Sequence, residues 1–360
     1  MKIMVFGCGK IFTEQYSRFI VSGMMEKKPE INIHVAFVDP KVEGCLREEH
    51  LSSNKNNLLK DLQKVIILSP PSKHLCNVQK LRELYEKNEE NFPQIYIEKP
   101  VFLANQEEAW LKIFKESPWL HPKVFYVDHY RYKDTINFFL SKKDEFMKLI
   151  GDLKEVTFVS LEKKRFWNSD TFNEGYFLEH GCHFFGMFNQ VFPEYSGINW
   201  VPCSLENWKS WIQRCRPSKC QEDNAILCFL KLSKESEKQD LERVTIVIGK
   251  GMIDKKFFLI EGTEGFIQIF FNEEKIVLKS SKREQMIFLN DSKSSYERVV
   301  ESILCDNPHV LSHLSLYDGI SIQKKVIEIK NHFKNSYSEY SVGEVPPEIQ
   351  SVLKRSGIGV

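Results

Sequence analysis

The chain has 360 residues, enough for about two domains at roughly 150 residues each, and its 42% apolar content can bury a core in both, which excludes a disordered polymer. Fifty Lys+Arg against 49 Asp+Glu leave a formal charge of +1, so no global field directs the protein to nucleic acid or an anionic membrane. The longest uninterrupted apolar runs, such as Val65 to Leu68, fall far short of the ~20 residues of a membrane span.

The opening MKIMVFGCGK has no long apolar region and no small-residue cleavage site, so a cytoplasmic location is expected. Nine cysteines are an odd and scattered set, and the closest pair, Cys215 and Cys220, lacks zinc-site spacing, so reduced thiols and no metal are expected.

Taken in order, the first 127 residues alternate strand-like and helix-like segments. Strands are predicted over Lys2–Phe6, Ile31–Val38, Val65–Leu68, Gln94–Ile97 and Lys123–Val127, with helices over 10–25, 72–87 and 104–117. Such apolar strands with crossovers between them fit a doubly wound parallel sheet covered on both faces. Beyond residue 128 the pattern becomes sheet-forming, with strands at 153–160, 225–232, 243–248, 256–261, 266–271 and 275–280 and helices near 133–148, 176–192 and 314–333. The predicted architecture is α/β: a dinucleotide-binding Rossmann domain over 1–127, an α+β domain with a largely antiparallel open sheet over 128–335, and a tail over 336–360. A ligand site is expected between the two domains.

Gly7-Cys8-Gly9 follows the first strand and opens a helix, where glycines permit a tight turn and close approach to a pyrophosphate at the positive helix end. The third glycine position of GxGxxG holds Phe12 instead. Asp39 ends the second strand, where a carboxylate accepts hydrogen bonds from a ribose diol and repels a 2′-phosphate, favouring NAD over NADP; a turn residue before Pro40 is the alternative. Ser69-Pro70-Pro71-Ser72 puts a rigid turn at a third strand end, though Ser72 also suits a plain helix cap.

With GCGKI, VAFVDP, LSPPSKH, YIEKPV, the helix EGYFLEHGCHFFGMF and the strand IEGTEGFIQI in this order, the sequence resembles the glucose–fructose oxidoreductase/inositol dehydrogenase (Gfo/Idh/MocA) family over nearly its whole length. The resemblance implies a nicotinamide-dependent oxidoreductase acting on the hydroxyl or ketone of a sugar, sugar phosphate or cyclitol. It implies cofactor contacts from Gly7, Gly9, Lys10, Ile11, Asp39, Ser69, Pro70, His74 and Glu98. The lysine of the EKP motif is Lys99, and the helical acid and histidine of the family's D-x-x-x-H are Glu179 and His183, with Glu replacing the usual Asp.

Residues four apart share a helix face, so Glu179 can orient His183 as a base for the hydroxyl proton, while Lys99 suits a hydrogen bond to the reacting oxygen. A core histidine among Cys182, Phe184 and Phe185 is the other reading of His183. Asp128-His129-Tyr130-Arg131-Tyr132-Lys133 is similar to the substrate-binding D-H-Y-x-x-K segment of glucose-6-phosphate dehydrogenases. That likeness implies that Asp128 supports a catalytic histidine while His129, Tyr130 and Lys133 meet a substrate phosphate; Arg131 adds a cation to a possible anion clamp. Lys163-Lys164-Arg165-Phe166-Trp167 could lend Arg165 to the substrate, or be a solvated strand end. A non-catalytic nucleotide-bound regulator and a C=N or C=C reductase are the competing functions. Relatives pair through the open face of the second sheet, so a homodimer or homotetramer is expected, with an apolar face over 257–271 suited to it.

Overall fold

The computed structural model describes residues 1–9, 11–20, 34–42, 45–46, 59–86, 88–103, 105–163, 176–195, 200–202, 209–213, 225–232, 241–289, 293–305, 314–332, 337–340 and 343–359. Its strands are β1 (Lys2–Phe6), β2 (His34–Val38), β3 (Leu62–Ile67), β4 (Gln94–Glu98), β5 (Val124–Val127), β6 (Leu153–Glu162), β7 (Trp200–Pro202), β8 (Lys209–Gln213), β9 (Ala225–Leu232), β10 (Arg243–Lys250), β11 (Lys255–Gly262), β12 (Gly265–Phe270), β13 (Lys275–Ser280) and β14 (Glu284–Phe288), with further short strands Leu314–Ser315 and Tyr337–Tyr340. The helices are α1 (Pro71–Tyr85), α2 (Glu107–Glu116), α3 (Asp134–Ser141), α4 (Lys143–Ile150), α5 (Tyr176–Val191), α6 (Ser295–Cys305), α7 (Leu316–His332) and α8 (Pro347–Arg355). No helix among the described residues is long and apolar enough to cross a membrane.

The chain forms two units, Met1–Tyr132 with Lys293–Lys325 and Lys133–Ser292 with Val326–Val360. In the first, a parallel sheet runs β5-β4-β3-β1-β2, and Leu314–Ser315 adds an antiparallel edge to β5. Its strands are nearly continuous apolar runs because both faces are covered. The helical stretch 11–20 opens with a π-helical turn over Phe12–Tyr16 and buries Phe12, Tyr16 and Ile20 against β1 and β3. The same core takes in Val299, Val300, Ile303 and Leu304 of α6, and the buried Lys64 donates to the carbonyl of Ile303 in that helix's last turn. This corrects the expected division at 127: residues 128–132 and 293–325 belong with the first unit because α6 completes its core. Helix α6 itself was absent from the predicted elements.

The second unit is built on a sheet ordered β14-β13-β12-β11-β6-β10-β9-β8, continued by Tyr337–Tyr340, with β7 also on β9. It is antiparallel except where β6 meets β10 and β8 meets Tyr337–Tyr340. The helix expected over 133–148 is two helices, broken at Lys142, whose backbone leaves the helical region.

Side chains alternate between the two faces of the sheet. On one face Phe158 and Phe258 meet Phe184 of α5, at 5.6 and 6.5 Å between ring centres. On the other, Val159, Leu161, Leu227, Val247, Phe257, Leu259 and Phe270 form one core with Val345, Ile349, Val352 and Leu353. The expected tail is therefore not a tail. Its helix α8 packs on the apolar face over 257–271 that was expected to receive a second copy. Gly343 N–H donates to the Gly251 carbonyl (2.7 Å) and Gln268 to that of Ser356 (3.3 Å), fixing the segment at both ends.

Candidate active site

In the first unit the sheet order reverses direction between β1 and β3, the crevice where open α/β sheets bind ligands beyond the strands' carboxyl ends. There Gly7 has φ +89°, and a Cβ on it would lie 2.5 Å from the Ser69 nitrogen and 2.7 Å from its Cα. Only glycine fits this contact. Its N–H donates to the Val38 carbonyl (3.0 Å), tying the turn to β2 as well. Gly9 differs: among the described residues a Cβ there would meet nothing within 4 Å, so the turn is open on that side. Thr13 N–H donates to the Gly9 carbonyl (3.0 Å), starting the helix directly after the turn, with Ile11 exposed in its first residues. Lys10 lies outside the described residues. Phe12, in the third glycine position, packs edge-on against Phe37 of β2 at 5.2 Å, so a side chain fills the space that a closer helix would occupy.

Asp39 is engaged by backbone. Cys8 N–H donates to its Oδ2 (2.8 Å) and Lys41 N–H to its Oδ1 (2.9 Å), so the carboxylate clamps the glycine turn and forms its own turn. Both readings made of this residue are thus physically available to it, since each carboxylate oxygen retains a lone pair.

Ser69 receives a hydrogen bond from Asn77 (3.0 Å), and Pro70 precedes α1, whose first residue is Pro71. His74, only 1% exposed, has Nε2 2.6 Å from the Ser69 carbonyl and Nδ1 3.0 Å from that of Val101. Two acceptors favour a doubly protonated ring, but burial is the larger influence and pulls its pKa down to about 4. The ring is therefore neutral and, with one N–H to donate, hydrogen-bonds one of the two carbonyls that flank it, between the strand-end loops after β3 and β4. Glu98 is buried at the end of β4, and the Lys99–Pro100 peptide that follows is cis. Tyr16 is fully buried; burial first, then Glu98, Tyr296, Tyr132 and Asp128, hold its phenol well above the ordinary value.

Of the DHYRYK segment, Asp128–Tyr132 belong to this unit, with His129–Tyr132 as a 3-10 turn. Asp128 is 1% exposed and accepts from Tyr130 N–H (3.0 Å), while His129 stacks on Tyr296 of α6 at 4.2 Å. Arg131 is 7% exposed; burial lowers its pKa, opposed by Tyr132, Asp128, Tyr126 and Asp318. Lys133, in the second unit, donates to the Phe271 carbonyl (3.3 Å). Of the two cations of the expected anion clamp, Arg131 is buried in the first unit and Lys133 donates within the second. Arg165 lies outside the described residues.

In the second unit the register collects a polar cluster at one end of an otherwise apolar helix–sheet interface. Glu162 and Ser160 of β6 point to the α5 face; Lys250 is opposite Glu162 on β10, and Lys256 opposite Ser160 on β11. Lys256 Nζ is 2.5 Å from Glu162 Oε1, and Lys250 Nζ is 3.7 Å from Glu179 Oε2. His180 sits among them, its Nδ1 3.0 Å from Ser160 Oγ and its Nε2 4.0 Å from both Glu162 Oε1 and Glu179 Oε1. His183 lies edge-on to His180 at 5.3 Å and is buried. Glu179 is thus within ion-pair distance of Lys250 and His180.

Ser160, Glu162, His180, Lys250 and Lys256 escaped the sequence reading. A usable signal was present: polar residues two apart at the end of β6 interrupt the apolar alternation on the face α5 covers.

No protein-family model matches the chain, and no curated protein does. Among solved structures it resembles UDP-N-acetylglucosamine 3-dehydrogenase from Acidithiobacillus ferrooxidans, at 12% identity and TM-score 0.61 over 93% of this chain and 98% of that one. An oxidoreductase from Thermotoga maritima aligns at 14% identity and TM-score 0.64 over 91% and 94%. A 3-ketoreductase from Actinomadura kijaniata, solved with TDP-benzene and NADP, aligns at 10% identity and TM-score 0.60 over 95% and 99%. The fold of this chain is the one these oxidoreductases share.

Proposed function

We propose that the chain is an NAD(P)-dependent oxidoreductase that interconverts a hydroxyl and a ketone on a sugar, sugar phosphate or cyclitol. The observation that carries this reading is the Gly7–Gly9 turn: backbone pressed against Ser69 on one side, open space at Gly9 on the other, and a carboxylate on the adjoining loop. Those features fit a dinucleotide, with the pyrophosphate over Gly9 at the start of the helix and the ribose diol at Asp39. Asp39 favours NAD; the NADP of the Actinomadura ketoreductase's structure keeps the second cofactor in the test.

When bound, the nicotinamide supplies a hydride acceptor. The protein's task is then the proton. His183 is assigned as the base that removes it from the substrate hydroxyl, Glu179 as the carboxylate that steadies the charge formed, and Lys99 as the donor to the oxygen becoming a carbonyl. Two fold neighbours, a UDP-N-acetylglucosamine 3-dehydrogenase and a 3-ketoreductase, support a sugar as substrate.

The test is a nicotinamide-fluorescence screen of the purified protein against paired free and phosphorylated sugars and cyclitols. Lys99→Ala and His183→Ala are expected to lower turnover by about a hundredfold or more while the dinucleotide still binds. Unchanged turnover in both variants removes the catalytic assignment.

A further inference from the structure

The charged groups at the polar end of the α5–sheet interface are shared out unevenly. Register sets Lys250 of β10 opposite Glu162 of β6, yet Glu162 has Lys256 of β11 at 2.5 Å, while Lys250 reaches across to α5 and stands 3.7 Å from Glu179 Oε2. Both side chains are largely covered, at 15% and 25% exposure. Glu179 lies in the first turn of its helix, where a carboxylate is also drawn to the helix's own unpaired N–H groups. Lys250 supplies the competing pull from the sheet. A half-buried ion pair adds little stability that apolar side chains would not, so a pair kept in an otherwise apolar interface points to a use.

We propose that Lys250 is a positioning residue for the reaction: its ammonium fixes the Glu179 carboxylate through Oε2, with Oε1 turned to the imidazole of His180. The carboxylate is then already in place when charge forms on His183, and a preorganised group stabilises that charge without first having to be ordered. Lys250 acts through Glu179 alone. This role rests on the assignment of Glu179 and His183 made above.

The test uses the full chain with Lys250→Met, which keeps an apolar stem and removes the charge, Lys250→Arg, which restores it, and Lys250→Met again in a Glu179→Gln background. On the substrate found in the screen, Lys250→Met is expected to lower kcat about tenfold or more with NADH affinity within about twofold of wild type, and Lys250→Arg to keep most of the wild-type rate. In the Glu179→Gln background, Lys250→Met should change kcat by less than about twofold, because the group it acts through is gone. Unchanged turnover in Lys250→Met, or a further fall of about tenfold in the Glu179→Gln background, overturns the proposal.

His180 gives a second readout that needs no substrate. Its Nδ1 lies 3.0 Å from Ser160 Oγ and its Nε2 4.0 Å from Glu162 Oε1 and Glu179 Oε1, with Lys256 and Lys250 paired to those carboxylates and His183 edge-on at 5.3 Å. In a histidine-selective NMR titration, the change that Lys250→Met makes in the His180 midpoint is expected to differ by about half a pH unit or more between the wild-type and Glu179→Gln backgrounds. Equal changes overturn the proposal. If no sugar or cyclitol is turned over, the oxidoreductase reading falls, and this titration still decides whether Lys250 governs Glu179.

Discussion

Two alanine substitutions two residues apart, Gly7→Ala and Gly9→Ala, should fail in opposite ways. A methyl on Gly7 would lie 2.5–2.8 Å from main-chain atoms of Leu68 and Ser69, against about 3.4 Å or more for ordinary contact, so β1 and β3 must part by several tenths of an ångström. Overpacking of that kind costs roughly 1–3 kcal/mol. Holding alanine at φ +89° adds about 1–2 kcal/mol. A total near 3 kcal/mol lowers the Tm of a unit this size by about 6–12 °C.

On Gly9 the methyl meets nothing within 4 Å among the described residues, so Tm should stay within about 2 °C or rise slightly. The methyl does, however, stand where a pyrophosphate would approach. Losing one or two charge-assisted contacts of about 1.5–3 kcal/mol each weakens NADH binding by roughly ten- to a hundredfold or more. Thermal unfolding by circular dichroism and NADH fluorescence titration measure the two effects separately. A Gly9→Ala protein that binds NADH as wild type does would refute a pyrophosphate on this turn, and a Gly7→Ala protein of unchanged Tm would refute the contact with Ser69.

His74 gives the protein a pH-dependent stability. Its folded pKa of about 4 lies below the ordinary 6.5, so the unfolded chain takes up the proton first as pH falls; the contribution is complete above about 6.5 and is lost toward 4. By pH 4.5 urea unfolding should show wild type losing about 2–3 kcal/mol more than His74→Gln, and equal losses would contradict a neutral buried ring. In α8, Leu353→Ala empties a fully buried position and should cost about 2–5 kcal/mol in urea unfolding; a loss under about 0.5 would mean the helix does not pack on the sheet. Arg131→Ala removes a buried side chain and should destabilise the first unit by about 1–3 kcal/mol; a loss of affinity for phosphorylated sugars selective over free ones would support the anion clamp, and an unchanged ratio would remove it.

Short-range features were legible in the residues. The strand–glycine–helix start at Gly7, the carboxylate ending β2, the helix carrying Glu179 and His183, and the strands at 225–232 and 275–280 follow from periodicity and turn chemistry, which act over a few residues. The two-unit α/β architecture follows from their order.

What needed the folded molecule was everything decided by distant pairing. Whether 293–325 returns to the first sheet depends on which core has room for Val299 and Ile303. The fate of α8 depends on a sheet face assembled from strands up to two hundred residues away in the chain. Arg131 reads as an exposed cation until its surroundings are built, and His180 acquires Ser160 and Glu162 only through the pairing of β6 with its neighbours. Local propensity specifies each segment's form, whereas register and burial arise from contacts between segments that carry no mark of one another in the linear order.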